Sequence, residues 1–220
     1  MSEGKFYTPA EVKSLYGEVI PAYQAAFAGE PWYEVSKCAD TQAIQRCPGG
    51  LSQLEIGKAC IACGGCPTVT AYPSSELTER FDDLGVTRPT VWYVDREEAG
   101  IALVAVAWKA SANQIASEKY PDVPEMAEWL GTRFSKDVVW LDEVFANKQI
   151  RPTRNLRNFG KMVVGLADRL NGSAVAYRTI SPAMTNAPKR DFGKRAKIFE
   201  RELEVPDRRD FVVINLEDEQ

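Results

Sequence analysis

The chain has 220 residues, 45% hydrophobic and 26% charged, enough for one substantial core. Its net charge of −4 argues against sequence-independent nucleic-acid binding, and no apolar run approaches the ~18 residues that span a bilayer. Histidine is absent, which removes Ser-His-Asp and Cys-His catalysis and any imidazole-ligated metal. The N-terminus carries no signal-peptide hydrophobic region, so a soluble cytoplasmic protein is expected.

Thr8-Pro9-Ala10-Glu11 is a capping box with proline at the first helical position. Val12, Leu15, Tyr16, Val19, Tyr23 and Phe27 then carry an apolar helix face to Gly29, which Pro21 is expected to kink or split. Residues 36–74 form a cysteine-rich insert with Cys38, Cys47, Cys60, Cys63 and Cys66. In a chain without a secretion signal, five cysteines point to metal or free thiols before disulfides. Cys60-Ile61-Ala62-Cys63-Gly64-Gly65 looks like a zinc knuckle, in which glycines after the second thiolate let backbone amides turn toward sulfur. Four thiolates around a structural Zn2+ would fold a segment too poor in apolar residues to fold alone. The favoured ligands are Cys38, Cys47, Cys60 and Cys63, with Cys66 competing for the place of Cys38 or Cys47.

Ser75 is expected to cap a helix over 76–84 closed by Gly85. Residues 90–95 and 100–109 read as an antiparallel hairpin. Ser111 and Gln114 open a helical stretch that Pro121 and Pro124 interrupt, Asp122 restarts and Gly131 ends. Val138 to Phe145, apolar but for Asp142 and Glu143, reads as a strand in mid-sheet. Adjacent strand residues face opposite ways, so at most one of these two carboxylates is expected in any cleft. Phe159, Met162, Val163, Leu166, Ala167 and Leu170 lay a core stripe along a helix that Asn171-Gly172 stops. Ser173 to Ile180 reads as a strand, followed by a polar, basic segment, a helical or irregular stretch at 194–202, a strand over 210–216 and a loose acidic tail.

Arg151, Arg154, Arg157 and Lys161 cluster at the start of the 159–170 helix. Cations there oppose the helix dipole at ~0.3–1 kcal/mol each when exposed. Free amides and the positive dipole end favour a phosphate at that place. These residues are therefore expected to hold a phosphate-bearing ligand through charge-assisted forks.

The strand 140–145, the loop and Arg157-Asn158-Phe159-Gly160-Lys161-Met162 resemble the acyl-CoA-binding segment of the Gcn5-related N-acetyltransferases (GNAT), a likeness covering roughly the second half of the chain. Met162 stands where that family usually has a small residue, and the link from Phe145 to Arg157 is longer than usual. The resemblance implies a single domain over 1–220 of the α/β, mixed-sheet class, with helices flanking a sheet whose fourth and fifth strands splay apart to admit the pantetheine arm. It implies acetyl transfer from acetyl-CoA to an amine acceptor by direct attack, in a monomer or homodimer that binds neither nucleic acid nor membrane. Either Glu143 or Asp142 is available as the base that deprotonates the ammonium, and the resemblance favours Glu143, with Val144, Phe145 and Ala146 as the strand edge that polarises the thioester. Arg151, Arg154, Arg157, Asn158, Gly160, Lys161 and Met162 become the coenzyme-binding loop. The tyrosine that often reprotonates the thiolate has no counterpart after Tyr177; Tyr16 or Tyr23 on the first helix is available instead. The alternative reading is a non-catalytic acyl-CoA sensor or a zinc-stabilised partner-binding module.

Overall fold

A computed structural model of the chain describes residues 4–29, 32–39, 51–52, 55–121, 123, 125–132, 138–147, 156, 158–179, 181–199 and 209–217. Strand β1 (Lys5–Tyr7) leads into α1 (Pro9–Val12), whose capping box is complete. The Thr8 hydroxyl accepts from the Glu11 amide at 3.3 Å, and the Glu11 carboxylate accepts from the Thr8 amide at 2.7 Å. A turn of 3-10 helix over Lys13–Leu15 separates α1 from α2 (Tyr16–Ala28). The break therefore precedes Pro21, which lies inside α2. The carbonyl that Pro21 leaves without a helical partner is that of Gly17, in the first turn, where the loss disturbs the helix least.

Between α2 and the next helix, β2 (Ser36–Cys38), β3 (Leu51–Ser52) and β4 (Thr68–Thr70) form a small sheet in the order β3-β2-β4. Helix α3 (Ser74–Thr87) starts at Pro73 and passes through Gly85, where a stop was expected. A Cβ at Gly85 would stand 2.4 Å from the Pro9 Cβ, so this glycine serves the close approach of α1. Strands β5 (Thr90–Glu97) and β6 (Gly100–Ala110) are the hairpin. The short helices α4 (Ala112–Lys119) and α5 (Met126–Gly131) follow, then β7 (Val138–Ala146), α6 (Phe159–Leu170) and β8 (Ala174–Thr179). Asn171 takes the left-handed conformation (φ 52°) that ends α6, as expected.

The segment read as polar and basic is α7 (Pro182–Phe192), and part of the stretch read as helical or irregular is strand β9 (Ala196–Phe199), which pairs with β10 (Asp210–Asn215). Short edge strands such as β1 and β9 carry too little alternation to announce themselves. Their pairing is set by a neighbour distant in sequence.

Among the described residues the main sheet has seven strands, ordered β1-β5-β6-β7-β8-β10-β9. Every pairing is antiparallel except β7 with β8. Helices cover both faces, so the central strands are apolar throughout. Val104, Val106, Trp108, Val138 and Trp140 pack beneath α1–α5. Leu103, Ala105, Ala107, Val139 and Leu141 pack with Phe159, Met162 and Val163 of α6. Phe81 of α3 joins the first core, its ring centroid 5.0 Å from Trp92 and 5.8 Å from both Tyr16 and Tyr23. Phe81→Ala is expected to lower the unfolding free energy by about 3–5 kcal/mol, read from urea denaturation, because it opens a cavity where three elements meet.

Candidate active site

Two irregularities in β7 build the site. Val106 stands opposite Glu143 and Ala107 opposite Leu141, so Asp142 is an extra residue, a β-bulge. The bulge reverses the alternation: Val138 and Trp140 before it, and Phe145 after it, face the same core. The expectation that only one of Asp142 and Glu143 enters a cleft is thereby overturned, since both line one cavity. The second irregularity is on the other edge. β7 and β8 are paired only at Val139–Val175 and Trp140–Ala176, although β7 continues to Ala146 and β8 to Thr179. Past Trp140 the two strands diverge.

A cavity of about 630 Å³ fills this opening. One wall comes from β7, through Asp142 to Ala146. The opposite wall comes from Tyr177, Arg178 and Thr179 of β8 and from Met184, Asn186 and Arg190 of α7. A third side is aromatic: Tyr23 and Phe27 of α2, Trp32, Tyr72 and Phe145. The Tyr23 ring stacks on Phe27 at 4.4 Å and meets Tyr72 and Phe145 edge-on at 5.1 Å each.

The two carboxylates of β7 are pushed in opposite directions. Burial alone would raise Asp142, but the Lys119 ammonium in contact with it, helped by Arg80 and the Trp140 indole N–H at 3.1 Å, holds its carboxyl below the usual range. Burial raises Glu143 above the usual range, and Asp142 beside it adds to this; Arg80 and Lys119 oppose without prevailing. The Glu143 side chain keeps 12% exposure and lines the cavity. Arg80 of α3 donates to Glu143 and also to the Tyr23 hydroxyl at 3.2 Å, while Tyr23 donates to Glu143 at 3.4 Å. A pair of carboxyl groups driven apart by their surroundings separates a permanent anion from a proton acceptor.

Sequence reasoning placed Glu143, Val144, Phe145 and Ala146 together, and all four line the cavity. Asn158, Gly160 and Lys161 lie at the start of α6 and are not among its lining residues. The Gly160 amide donates to the Asp191 carboxylate of α7 at 3.1 Å, an internal anion at a helix N-terminus. Met162 gives its side chain to the core and its amide to the Asn158 carbonyl at 2.8 Å, which leaves neither for a ligand. Arg151, Arg154, Arg157 and Cys47 lie outside the described residues. Arg80, Glu34, Tyr72 and Asp191 were missed by sequence reasoning. For Arg80 a faint signal exists, since it follows Leu77 by three and sits on the rim of the apolar stripe of α3. Of the tyrosines, Tyr23 lines the cavity, whereas Tyr16 donates to Asp82 and is not a lining residue. Tyr177 lines it but donates its hydroxyl to the Met184 carbonyl at 2.7 Å.

No protein-family model and no curated protein matches the chain in sequence. Solved structures do match in shape. A polyamine N-acetyltransferase of Drosophila melanogaster superposes with a TM-score of 0.51 at 12% identity, over 96% of this chain and 98% of that one. The chain has the GNAT acetyltransferase fold. Arylalkylamine N-acetyltransferase 2 of Aedes aegypti gives 0.50 at 12% identity, covering 98% and 100%. A protein of Corynebacterium glutamicum named as a histone acetyltransferase and related acetyltransferase gives 0.51 at 12%, covering 97% and 95%. In this GNAT fold the divergence of β7 from β8 is the feature that the sequence resemblance implied.

The thiols of the small sheet converge separately. Cys38, Cys60 and Cys63 bring their sulfurs within 4.8 Å of one another, with Cys38 and Cys63 3.7 Å apart. A tetrahedron of ~2.3 Å metal–sulfur bonds has edges of about 3.8 Å. The amides of Gly65 and Cys66 donate to the Cys63 sulfur and, with smaller help from the neighbouring thiols, draw its pKa down to about 6. Such amide–sulfur bonds are what the knuckle reading of the sequence expected. Cys66 packs against Cys38 and Cys60. Among the described residues Cys38, Cys60, Cys63 and Cys66 form no disulfide.

Arg80 is the largest of the charges that restrain the rise of the Glu143 pKa, so Arg80→Ala is expected to move it further up. Carboxyl-detected NMR titration of the wild type and of the variant, with Glu143→Gln to assign the resonance, reads the shift directly.

Proposed function

We propose that this protein is an acetyl-CoA-dependent N-acetyltransferase that acts on an amine, with Glu143 as its general base. The observation that carries the reading is the opening between β7 and β8 at the bulge that turns Glu143 into the cavity. Acetyl-CoA supplies the activated acetyl group as a thioester. The main-chain groups of Val144 to Ala146, on the edge that β8 leaves, suit the coenzyme's amide-bearing arm and the thioester oxygen. The start of α6, whose Gly160 amide already takes a carboxylate, suits a pyrophosphate, with Arg151, Arg154, Arg157, Asn158 and Lys161 as its further ligands.

Glu143 takes the proton of the bound ammonium, directly or through a water, and frees the lone pair for attack. A carboxylate whose burial raises its proton affinity is a better acceptor at neutral pH than an exposed one. The aromatic wall of Tyr23, Phe27, Trp32, Tyr72 and Phe145 suits an acceptor with an apolar body. The cysteines Cys38, Cys60 and Cys63 hold a structural zinc ion, the fourth thiolate coming from Cys47 or Cys66. Cysteines that form no disulfide suit a reducing, cytoplasmic compartment. No helix among the described residues is long and apolar enough to cross a membrane.

The test is thiol release from acetyl-CoA across a panel of phenethylamine, tyramine, putrescine, agmatine and a lysine peptide, beside calorimetric titration of acetyl-CoA. Binding with turnover of at least one amine is expected. Glu143→Gln should lose about 10²–10⁴-fold in kcat, and the acidic limb of the wild-type profile should lie above the ordinary carboxylate range, because activity needs the ionised form of a group whose pKa is raised. The charged groups facing it are Arg80, Lys119 and Asp142, and the neutral Tyr23 hydroxyl donates to it. Binding without turnover of any amine supports the sensor reading; no binding refutes both.

Asp191 occupies the Gly160 amide and places a negative charge where phosphates would lie. Asp191→Ala is therefore expected to tighten acetyl-CoA binding about threefold to tenfold, measured by calorimetry at low ionic strength.

A further inference from the structure

The small sheet and the cavity share a pair of strands. β2 and β4 pair at Ser36–Thr70, Lys37–Val69 and Cys38–Thr68. One further rung lies at each end. The Ala39 amide donates to the Pro67 carbonyl at 2.9 Å, next to Cys66, and the Ala71 amide donates to the Val35 carbonyl at 3.1 Å. That last rung is flanked by Glu34 and Tyr72, which line the cavity and whose side chains meet, the Tyr72 hydroxyl donating to the Glu34 carboxylate. From Cys38 back to Glu34 is four residues, about 13 Å of extended chain. The chain leaving β4 runs through Tyr72 into α3, which carries Arg80. Lys37 of β2 is ion-paired with Glu76 in the first turn of that helix.

Among the described residues the cysteines supply the apolar contacts of this ladder. Its hydrophobic cluster, among the described residues, is Cys38, Cys60 and Cys66. Among the described residues its other buried side chains are Ser36, Thr68 and Ala71, while Ile56 and Ile61 stand 60% and 82% exposed. A module whose described residues gather so few apolar side chains gains stability from a metal held by its thiolates. The far end of the wall is tied to α2 by backbone bonds, Glu34 to the Phe27 carbonyl at 2.8 Å, and by Gln24 to the Tyr72 carbonyl at 2.7 Å. Those ties fix where the wall attaches, and the ladder fixes how Glu34 and Tyr72 meet.

We infer that the metal held by Cys38, Cys60 and Cys63 sets the acceptor wall of the cavity, so that metal occupancy controls amine binding and leaves coenzyme binding alone. The inference rests on the zinc and acetyltransferase readings above. The coenzyme side is built from β7, β8, α6 and α7, none of which belongs to the small sheet. Loss of the metal frays β2 from β4, parts Glu34 from Tyr72 and loosens Trp32. Glu143 and the opening between β7 and β8 stay as they are.

The experiment uses the full chain, as purified with zinc, after stripping with a chelator, and after zinc is restored. Metal content is read by mass spectrometry, acetyl-CoA affinity by calorimetry, and KM and kcat with the panel amine of highest kcat/KM. The expected result is a rise of about tenfold in amine KM on stripping, acetyl-CoA affinity within twofold, and recovery with zinc. Hydrogen exchange should quicken at 34–39 and 67–72 and stay unchanged in β7 and β8. Glu34→Gln and Tyr72→Phe should each raise amine KM in the zinc-loaded protein, and stripping should then add less than it does in the wild type. Cys63→Ser should copy the stripped protein; if it fails to fold, the stripped wild type carries the same measurement. An unchanged amine KM after the metal is gone overturns the inference, and so does a parallel loss of acetyl-CoA affinity. A protein that neither contains nor takes up zinc refutes the metal reading, and one that does not bind acetyl-CoA refutes the enzyme reading, so the failures are distinguishable.

Discussion

One surplus residue in β7 governs the geometry of this molecule. With Asp142 standing outside the register against β6, the strand bends and its alternation reverses, and beyond Trp140 it no longer runs beside β8. A parallel pair deep in a sheet covered on both faces is ordinarily zipped along its length, since an orphaned buried backbone group costs about 1–3 kcal/mol. Here the edge from Leu141 onward is left for something other than β8, and a cavity lies along it. The cores on either side of the sheet make the opening tolerable. Trp140 and Phe211 on one face, and Val139, Met162 and Val212 on the other, clamp the strands where they still pair.

The bulge also sets the electrostatics. It brings two carboxylates that strict alternation would separate onto one wall, beside cations from two different helices. Lys119 of α4 takes Asp142, and Arg80 of α3 takes Glu143. Asp142 gains most from its partner and stays ionised, whereas burial dominates at Glu143 and raises its proton affinity. Tyr23, bonded to both Arg80 and Glu143, ties this arrangement to α2 and to the aromatic wall.

The wall itself is assembled from segments that the main sheet does not hold. Trp32 and Glu34 leave the end of α2, and Tyr72 enters α3, with the thiol-rich sheet between them. Opposing faces of one cavity thus depend on different sources of order, an apolar core on the side of β7 and β8 and a sulfur cluster with a short ladder on the other.

By itself the sequence determined the long-period features: the α6 stripe from Phe159 to Leu170, the β5–β6 hairpin, the capping boxes at Thr8 and Ser111, and the spacing that sets Cys60 beside Cys63. These are local patterns of apolar period, cap chemistry and ligand spacing, which a short window of chain contains in full. It also pointed to Glu143, through a resemblance. Only the tertiary structure decided that Asp142 is a bulge, because a bulge is defined by the partner strand. Only it decided that α7 is a helix despite Pro188 inside it, that Lys5–Tyr7 and Ala196–Phe199 are edge strands, and that Arg80 and Tyr23 meet Glu143 from 63 and 120 residues away. Contacts between residues so far apart have no local signature; they exist because packing two cores against one twisted sheet brings their elements together.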